Sequence, residues 1–293
     1  MLKLEMKAGA LISLISKMTA RESGGSALFS PILVKADVKK KSISWSWITG
    51  DHTAFTWGKA EKLKLSGESG DYVIDSEIVD WLKNLFSDEE NVVLEHRGST
   101  VYLKGDKWEG QFTPTDADAT RVEEALQMKI KDNVPMLGDF KWSEVGIKAS
   151  EINTILSPTS LVYGQKEIKV VRLTFNKKGS LALIGSLEAH STGIARPLDA
   201  KVKKGFEIIL GSNFAEVMSV LDGDLKLFGI DTERPLWILK EDTNLIVGYL
   251  VAQYGEVQER EKAEAEDDEE EVEEAEESED EDDSDIDLGD DDG

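Results

Sequence analysis

Two stretches decide the reading of this chain: Tyr72-Val-Ile-Asp-Ser76 and Ile208-Ile-Leu-Gly-Ser212. Each is a short apolar run followed by a turn residue and a serine placed to cap what comes next. What comes next is amphipathic at helical spacing. Ile78, Val79, Leu82, Leu85 and Phe86 share one face of a helix expected over Glu77–Phe86, capped by Asp75 or Ser76. Its counterpart is expected over Asn213–Leu221, capped by Ser212. Strand pairs follow both: Asn91–Glu95 with Thr100–Lys104 around Arg97-Gly98-Ser99, and Leu225–Ile230 with Leu236–Lys240.

Outward from these stretches the two halves keep the same order. Leu2, Leu4 and Met6 alternate with Lys3, Glu5 and Lys7, the period of a half-buried strand, and Leu11, Ile12, Leu14, Ile15 and Met18 then recur at helical spacing. Alternation returns in Ile32–Val38 and in Ile43, Trp45 and Trp47, and Trp108–Phe112 is a final strand. In the second half, Phe140–Ile147 is extended, and Ser150 caps a helix over Glu151–Leu156 that Pro158 ends. Strands are expected at Ile168–Phe175 and Leu181–Leu187 around Asn176-Lys-Lys-Gly179, then at Phe206–Leu210, and Leu245–Tyr254 closes the body. This duplication predicts an α+β protein of two similar domains, 1–112 and 140–255. Residues 113–139 are the connector: Thr113-Pro-Thr-Asp-Ala-Asp-Ala-Thr leaves a strand, Pro135 and Gly138 punctuate the far end, and Val122–Ile130 is a short helix or an extended crossing segment.

Charge sets the last segment apart. The chain has 293 residues and a net charge of -25, yet residues 256–293 hold 24 of the acids and 2 of the bases. The first 255 residues keep 35 acids against 32 bases and are close to neutral. The 256–293 tail is expected to be disordered, because ordering a residue costs about 1–2 kcal/mol and this segment has little apolar surface to offset it. It is either a solubilising tail or a regulatory polyanion, and Ile286 and Leu288 are its candidate docking residues. The absence of cysteine excludes disulfides, zinc-thiolate sites and a thiol nucleophile. His52, His96 and His190 have no ligand spacing, so no metal and no cofactor is expected. No apolar run approaches the roughly 20 residues that span a bilayer, and the N-terminus lacks a signal-peptide core, which points to a soluble intracellular protein with no membrane partner. No phosphate-binding, dinucleotide, zincin or hydrolase motif is present, so no catalysis is expected.

The order and lengths of the elements resemble the DNA polymerase sliding clamps of the archaeal and eukaryotic type, the proliferating cell nuclear antigen family. Asp231-Thr-Glu-Arg-Pro-Leu-Trp-Ile and Gly248-Tyr-Leu-Val-Ala-Gln-Tyr254 resemble that family's last two strands, and Asp51-His52 falls where the family has a pocket histidine. The resemblance covers residues 1 to about 255 and leaves the acidic tail outside. It implies two clamp domains per chain, a homotrimeric ring around duplex DNA, and partners that include DNA polymerase, other clamp-binding proteins and a clamp loader. It implies sequence-independent phosphate contacts from inward-facing helices, here Lys17 and Arg21, four apart on the first helix, and Lys83 on the second. The helices expected in the second half carry no base, which leaves loop lysines Lys39, Lys40, Lys41, Lys201, Lys203 and Lys204 to compensate. The partner pocket it implies is formed by His52, Val134, Met136, Leu137, Pro235 and Tyr249. Core packing accounts equally for Met136 and Leu137, and an edge-strand role for Pro235. The alternative function is a single-stranded DNA-binding protein with an acidic regulatory tail, in which Trp45 and Trp47 stack on bases. An acidic chaperone or nucleic-acid mimic explains the tail but not the duplicated body.

Overall fold

A computed structural model describes residues 1–18, 31–48, 54–75, 78–113, 128–138, 140–162, 170–185, 193–230 and 234–253. Contacts separate Met1–Tyr254 from Gly255–Gly293. The tail therefore lies outside the described residues.

The first half begins with β1 (Leu2–Lys7), where Leu2 and Leu4 point into the core and Lys3 and Glu5 are less buried. It continues through α1 (Ala8–Ser16), β2 (Pro31–Asp37), β3 (Ser42–Ile48), β4 (Ala54–Ala60), β5 (Lys64–Gly67) and β6 (Gly70–Asp75). It ends with α2 (Ile78–Leu85), β7 (Asn91–Arg97), β8 (Thr100–Lys104) and β9 (Glu109–Phe112). A small hairpin follows, β10 (Ile130–Lys131) and β11 (Val134–Pro135). The second half then runs β12 (Ser143–Lys148), α3 (Ala149–Val162), β13 (Val170–Phe175), β14 (Ser180–Gly185), β15 (Gly193–Leu198) and β16 (Ala200–Val202). It closes with β17 (Phe206–Leu210), α4 (Ser212–Ser219), β18 (Asp224–Gly229), β19 (Leu236–Glu241) and β20 (Leu245–Val251).

The pairing repeats strand for strand. In the first half the orders are β5-β1-β7-β8-β9 and β4-β3-β2-β6; in the second they are β16-β12-β18-β19-β20 and β15-β14-β13-β17. The halves are joined where β20 pairs antiparallel with β4, from Leu245 opposite Ala60 to Val251 opposite Ala54, which makes one nine-stranded sheet. One apolar core runs through both halves. It receives Leu11, Leu14 and Ile15 from α1, Ile78 and Leu82 from α2, and Phe214, Val217 and Met218 from α4. Each such side chain contributes about 1.5–3 kcal/mol on burial. A second cluster of Phe55, Phe228, Trp237 and Leu239 packs separately, with the β10–β11 hairpin against it. Two glycines let indoles lie flat on the sheet. A Cβ at Gly58 would stand 2.1 Å from the Trp45 ring, and one at Gly248 would stand 1.9 Å from the Trp237 ring.

Several expected boundaries move. Helix α3 begins at Ala149, one residue before the expected cap Ser150, and runs past Pro158 to Val162. A proline there lacks the N–H that would reach the Thr154 carbonyl, but the neighbouring turns keep the helix going. Ser212 is the first residue of α4 rather than its cap; Gly211 is the cap, in extended conformation and without a side-chain bond. The other expected helix start falls on Ser76 and Glu77, outside the described residues, as do Val122 and Leu187. Ile130 is in a strand, so that end of the connector is extended.

Candidate functional site

Two surfaces bear on function: the exposed faces of the helices and the outer face of the nine-stranded sheet beside the hairpin.

Helix α1 pairs with α2 and α3 with α4. Their exposed positions are Ala10 and Ser13; Asp80, Lys83 and Asn84; Ser150 and Thr154; and Ser219. Two of these hydroxyls turn back on their own helices: Thr154 Oγ1 donates to the Ser150 carbonyl at 2.6 Å, and Ser219 Oγ donates to the Glu216 carbonyl at 2.6 Å. Among the described residues these faces are therefore small, polar and nearly neutral. Lys83 is exposed and has no ion-pair partner among the described residues, in keeping with its expected place. Lys17 is placed differently. It caps the C-terminus of α1, is only 9% exposed, and its amine donates to Ser13 Oγ at 3.2 Å. Its charge faces the body, where it helps Lys240 hold the Asp222 carboxyl below its ordinary range, the Lys240 hydrogen bond being the larger cause. Burial of Lys17 leaves little of it for an outside phosphate. Arg21 lies outside the described residues.

The connector ends in a hairpin whose turn is Asp132-Asn133, with φ of 52° and 63°. Both residues are left-handed, the requirement of a two-residue turn that matches strand twist, and Asp and Asn tolerate it. Three hydrogen bonds hold this hairpin on the sheet. Trp237 Nε1 donates to the Asn133 carbonyl at 3.0 Å, Trp142 Nε1 to the Pro135 carbonyl at 2.8 Å, and Asn133 Nδ2 to Glu241 Oε1 at 2.8 Å. Met128, Ile130 and Val134 pack onto the Phe55–Trp237 cluster below. Lys226 bonds the other Glu241 oxygen and is the main reason that carboxyl sits below its usual range, with the Asn133 bond a lesser cause.

Just past the hairpin the surface becomes apolar and exposed. Met136 is 53% exposed, Leu137 is half-buried, and Phe140 is exposed. The Arg234 guanidinium stands 4.2 Å from the Phe140 ring centroid, and the half-buried Pro235 follows it. The Arg234 carbonyl accepts from Gln253 Nε2 at 2.5 Å, so the last described residue ends beside the same patch.

Of the expected pocket residues, Met136, Leu137 and Pro235 lie at or beside this surface, while Val134 packs inward. His52 lies outside the described residues. Tyr249 does not face a pocket. It is fully buried, its hydroxyl donates to the Lys17 carbonyl at 2.8 Å, and burial pushes its ionisation far above the ordinary range. It ties the last strand to the end of α1. Sequence reasoning missed Phe140 and Arg234, whose contact spans 94 positions; the only signal was an arginine beside Pro235. Trp45 and Trp47 are both buried in the main core, so neither ring offers a face to a base.

Among the described residues no group of three or more His, Asp or Glu could hold a metal ion, and no helix is long and apolar enough to cross a membrane.

No protein-family model matches the chain, and no curated protein matches it in sequence. Solved structures do. A. fulgidus PCNA, solved with the C-terminal region of FEN-1 bound, superposes with a TM-score of 0.64 at 15% identity, covering 86% of this chain and 98% of that one. PCNA from Thermococcus kodakaraensis gives a TM-score of 0.64 at 13% identity over 86% of this chain and all of that one. The proliferating cellular nuclear antigen of Entamoeba histolytica gives 0.61 at 10% identity, covering 86% and 98%. The mixed α+β architecture of this chain is that of these clamp proteins.

Proposed function

We propose that this chain is a DNA sliding clamp, a non-catalytic processivity factor. It assembles into a ring, as a homotrimer, around duplex DNA and tethers DNA polymerase and other clamp-binding proteins. The observation that carries this reading is the strand-for-strand repeat with its two unmatched edges. β20 is paired on both sides while its counterpart β9 pairs only with β8; β4 is paired on both sides while its counterpart β15 pairs only with β14. A chain built this way is complete inside and open at its two ends, the condition for head-to-tail closure. The fold shared with the clamp structures supports the same reading.

A ring holds DNA by topology, so weak contacts suffice and sliding stays fast. Nearly neutral helix faces fit that demand. Lys83 and Arg21 are the proposed phosphate contacts, and the loop lysines supplement them. Clients dock at Met136, Leu137, Phe140, Arg234 and Pro235, with His52 completing the site; an apolar patch beside one guanidinium suits a short helical motif with aromatic anchors. A clamp loader opens the ring. The 256–293 tail begins just past Gln253, near that patch, and its charge repels DNA there.

Two measurements test this. Solution mass should be about three times 32.4 kDa. The protein should remain on closed circular DNA and run off the same DNA once it is cut. Equal retention on both forms overturns encirclement.

A further inference from the structure

The internal junction is a template for the one between copies. Tyr72–Ser76 and Ile208–Ser212 align the halves across β6 and β17, and the printed pairings carry that alignment strand by strand. The row Leu4, Leu94, Leu103, Gly110 in the first half corresponds to Val145, Leu227, Ile238, Tyr249 in the second. The row Val34, Trp45, Gly58 corresponds to Leu173, Ala182, Arg196. β4 and β15 then end together, at Ala60 and Leu198. At the internal junction Gly248 stands opposite Trp57 and Val247 opposite Gly58. The counterparts of those four residues are Glu109, Ala195, Trp108 and Arg196.

We infer that β9 of one copy pairs antiparallel with β15 of the next in this register, Glu109 opposite Ala195, with Trp108 stacked on Arg196. The inference rests on the ring reading above and gives that ring its register. The side chains support it by an exchange of sizes. Inside the chain the row is Trp45, Gly58, Val247: the indole comes from β3 and lies over the glycine. Between copies the row is Ala182, Arg196, Trp108: the β3 counterpart is small, and the indole arrives from the far side. Trp108 is 54% exposed, with no hydrogen-bond partner for its N–H among the described residues, and Arg196 has no ion-pair partner among them. A solvent-facing indole at one open edge and an unpaired guanidinium at the other are complementary by cation–π attraction. Cross-strand pairs of this kind put Cβ atoms about 4.5–5.5 Å apart.

The chain has no cysteine, so crosslinking reads the register directly. Full-length E109C/A195C, oxidised at concentrations where the protein is oligomeric, should form covalent multimers up to the ring on denaturing gels. E109C/P197C, two residues out of register, should not. Trp108→Ala and Arg196→Ala should each weaken assembly by about 2- to 30-fold in dissociation constant, the span from exposed to desolvated cation–π pairs, and the double variant should lose little more than either. Multimers by mass that crosslink only in E109C/P197C, or in neither variant, overturn the register and leave the ring reading standing. A single-copy mass at every concentration overturns both.

Discussion

The sheet face formed by β3 and β4 and the equivalent face formed by β14 and β15 have the same topology but opposite cover. On the first, Ile48, Phe55 and Trp57 belong to a cluster packed under the hairpin, through Met128, Ile130 and Val134. On the second, Leu181 and Leu183 are each 40% exposed, and Ala195 and Pro197 beside them are exposed as well. Backbone pairing thus repeats without the side chains repeating. The difference shows which parts of a duplicated fold are fixed by strand geometry and which by what lies on top.

The largest expected effect breaks the covered face. Trp237→Ala removes a fully buried indole and the bond to the Asn133 carbonyl, and should cost about 3–5 kcal/mol by denaturant midpoint. Trp108→Ala, at an open edge, should stay within about 0.5 kcal/mol for the isolated chain. Next comes the glycine on which the Trp45 indole rests. Gly58→Ala drives a methyl into that ring and should cost about 1–3 kcal/mol, whereas Arg196→Ala at the equivalent position should leave thermal unfolding of the isolated chain unchanged. Equal losses at the two positions would remove the contrast.

Two smaller effects sharpen it. Leu181→Ser with Leu183→Ser should change stability by about 0.5 kcal/mol or less, while Phe55→Ser should be strongly destabilising; calorimetry compares them. The hairpin should also respond to acid. The Glu241 carboxyl is held below its model value of 4.5, chiefly by Lys226 and less by Asn133. Its contribution is therefore complete above about pH 4.5 and is lost as pH falls through the lower folded value. Amide exchange at Asp132–Val134, corrected for intrinsic rate, should speed up in that acid window, and Glu241→Gln should flatten the response. A response unchanged in Glu241→Gln would assign the acid sensitivity elsewhere.

The duplicated order was legible because β1, β3, β7 and β8 alternate cleanly and the helices keep one apolar face. Strand β4 was not, since Ala54, Phe55 and Thr56 are all buried and leave no alternation to detect. Strands β15 and β16 escaped for the other reason: Gly193 and Pro197 read as breakers, yet a proline is tolerated on an edge. At the candidate site, Met136 and Pro235 were legible through resemblance. Phe140 with Arg234 was not, because a contact between distant segments has no local pattern. Tyr249 misled for a related reason. Its neighbours on β20 give no sign that the end of α1 will cover it and accept its hydroxyl proton.

The pinned hairpin also bears on the thermodynamics of recognition. A strap that hung free would have to be immobilised by whatever docked beside it, at about 1–2 kcal/mol of backbone entropy for each residue fixed. Here the left-handed turn and the two indole N–H groups fix Ile130–Pro135 when the chain folds. A peptide that lands next to Met136 meets a wall already standing, and more of its contact energy survives as affinity.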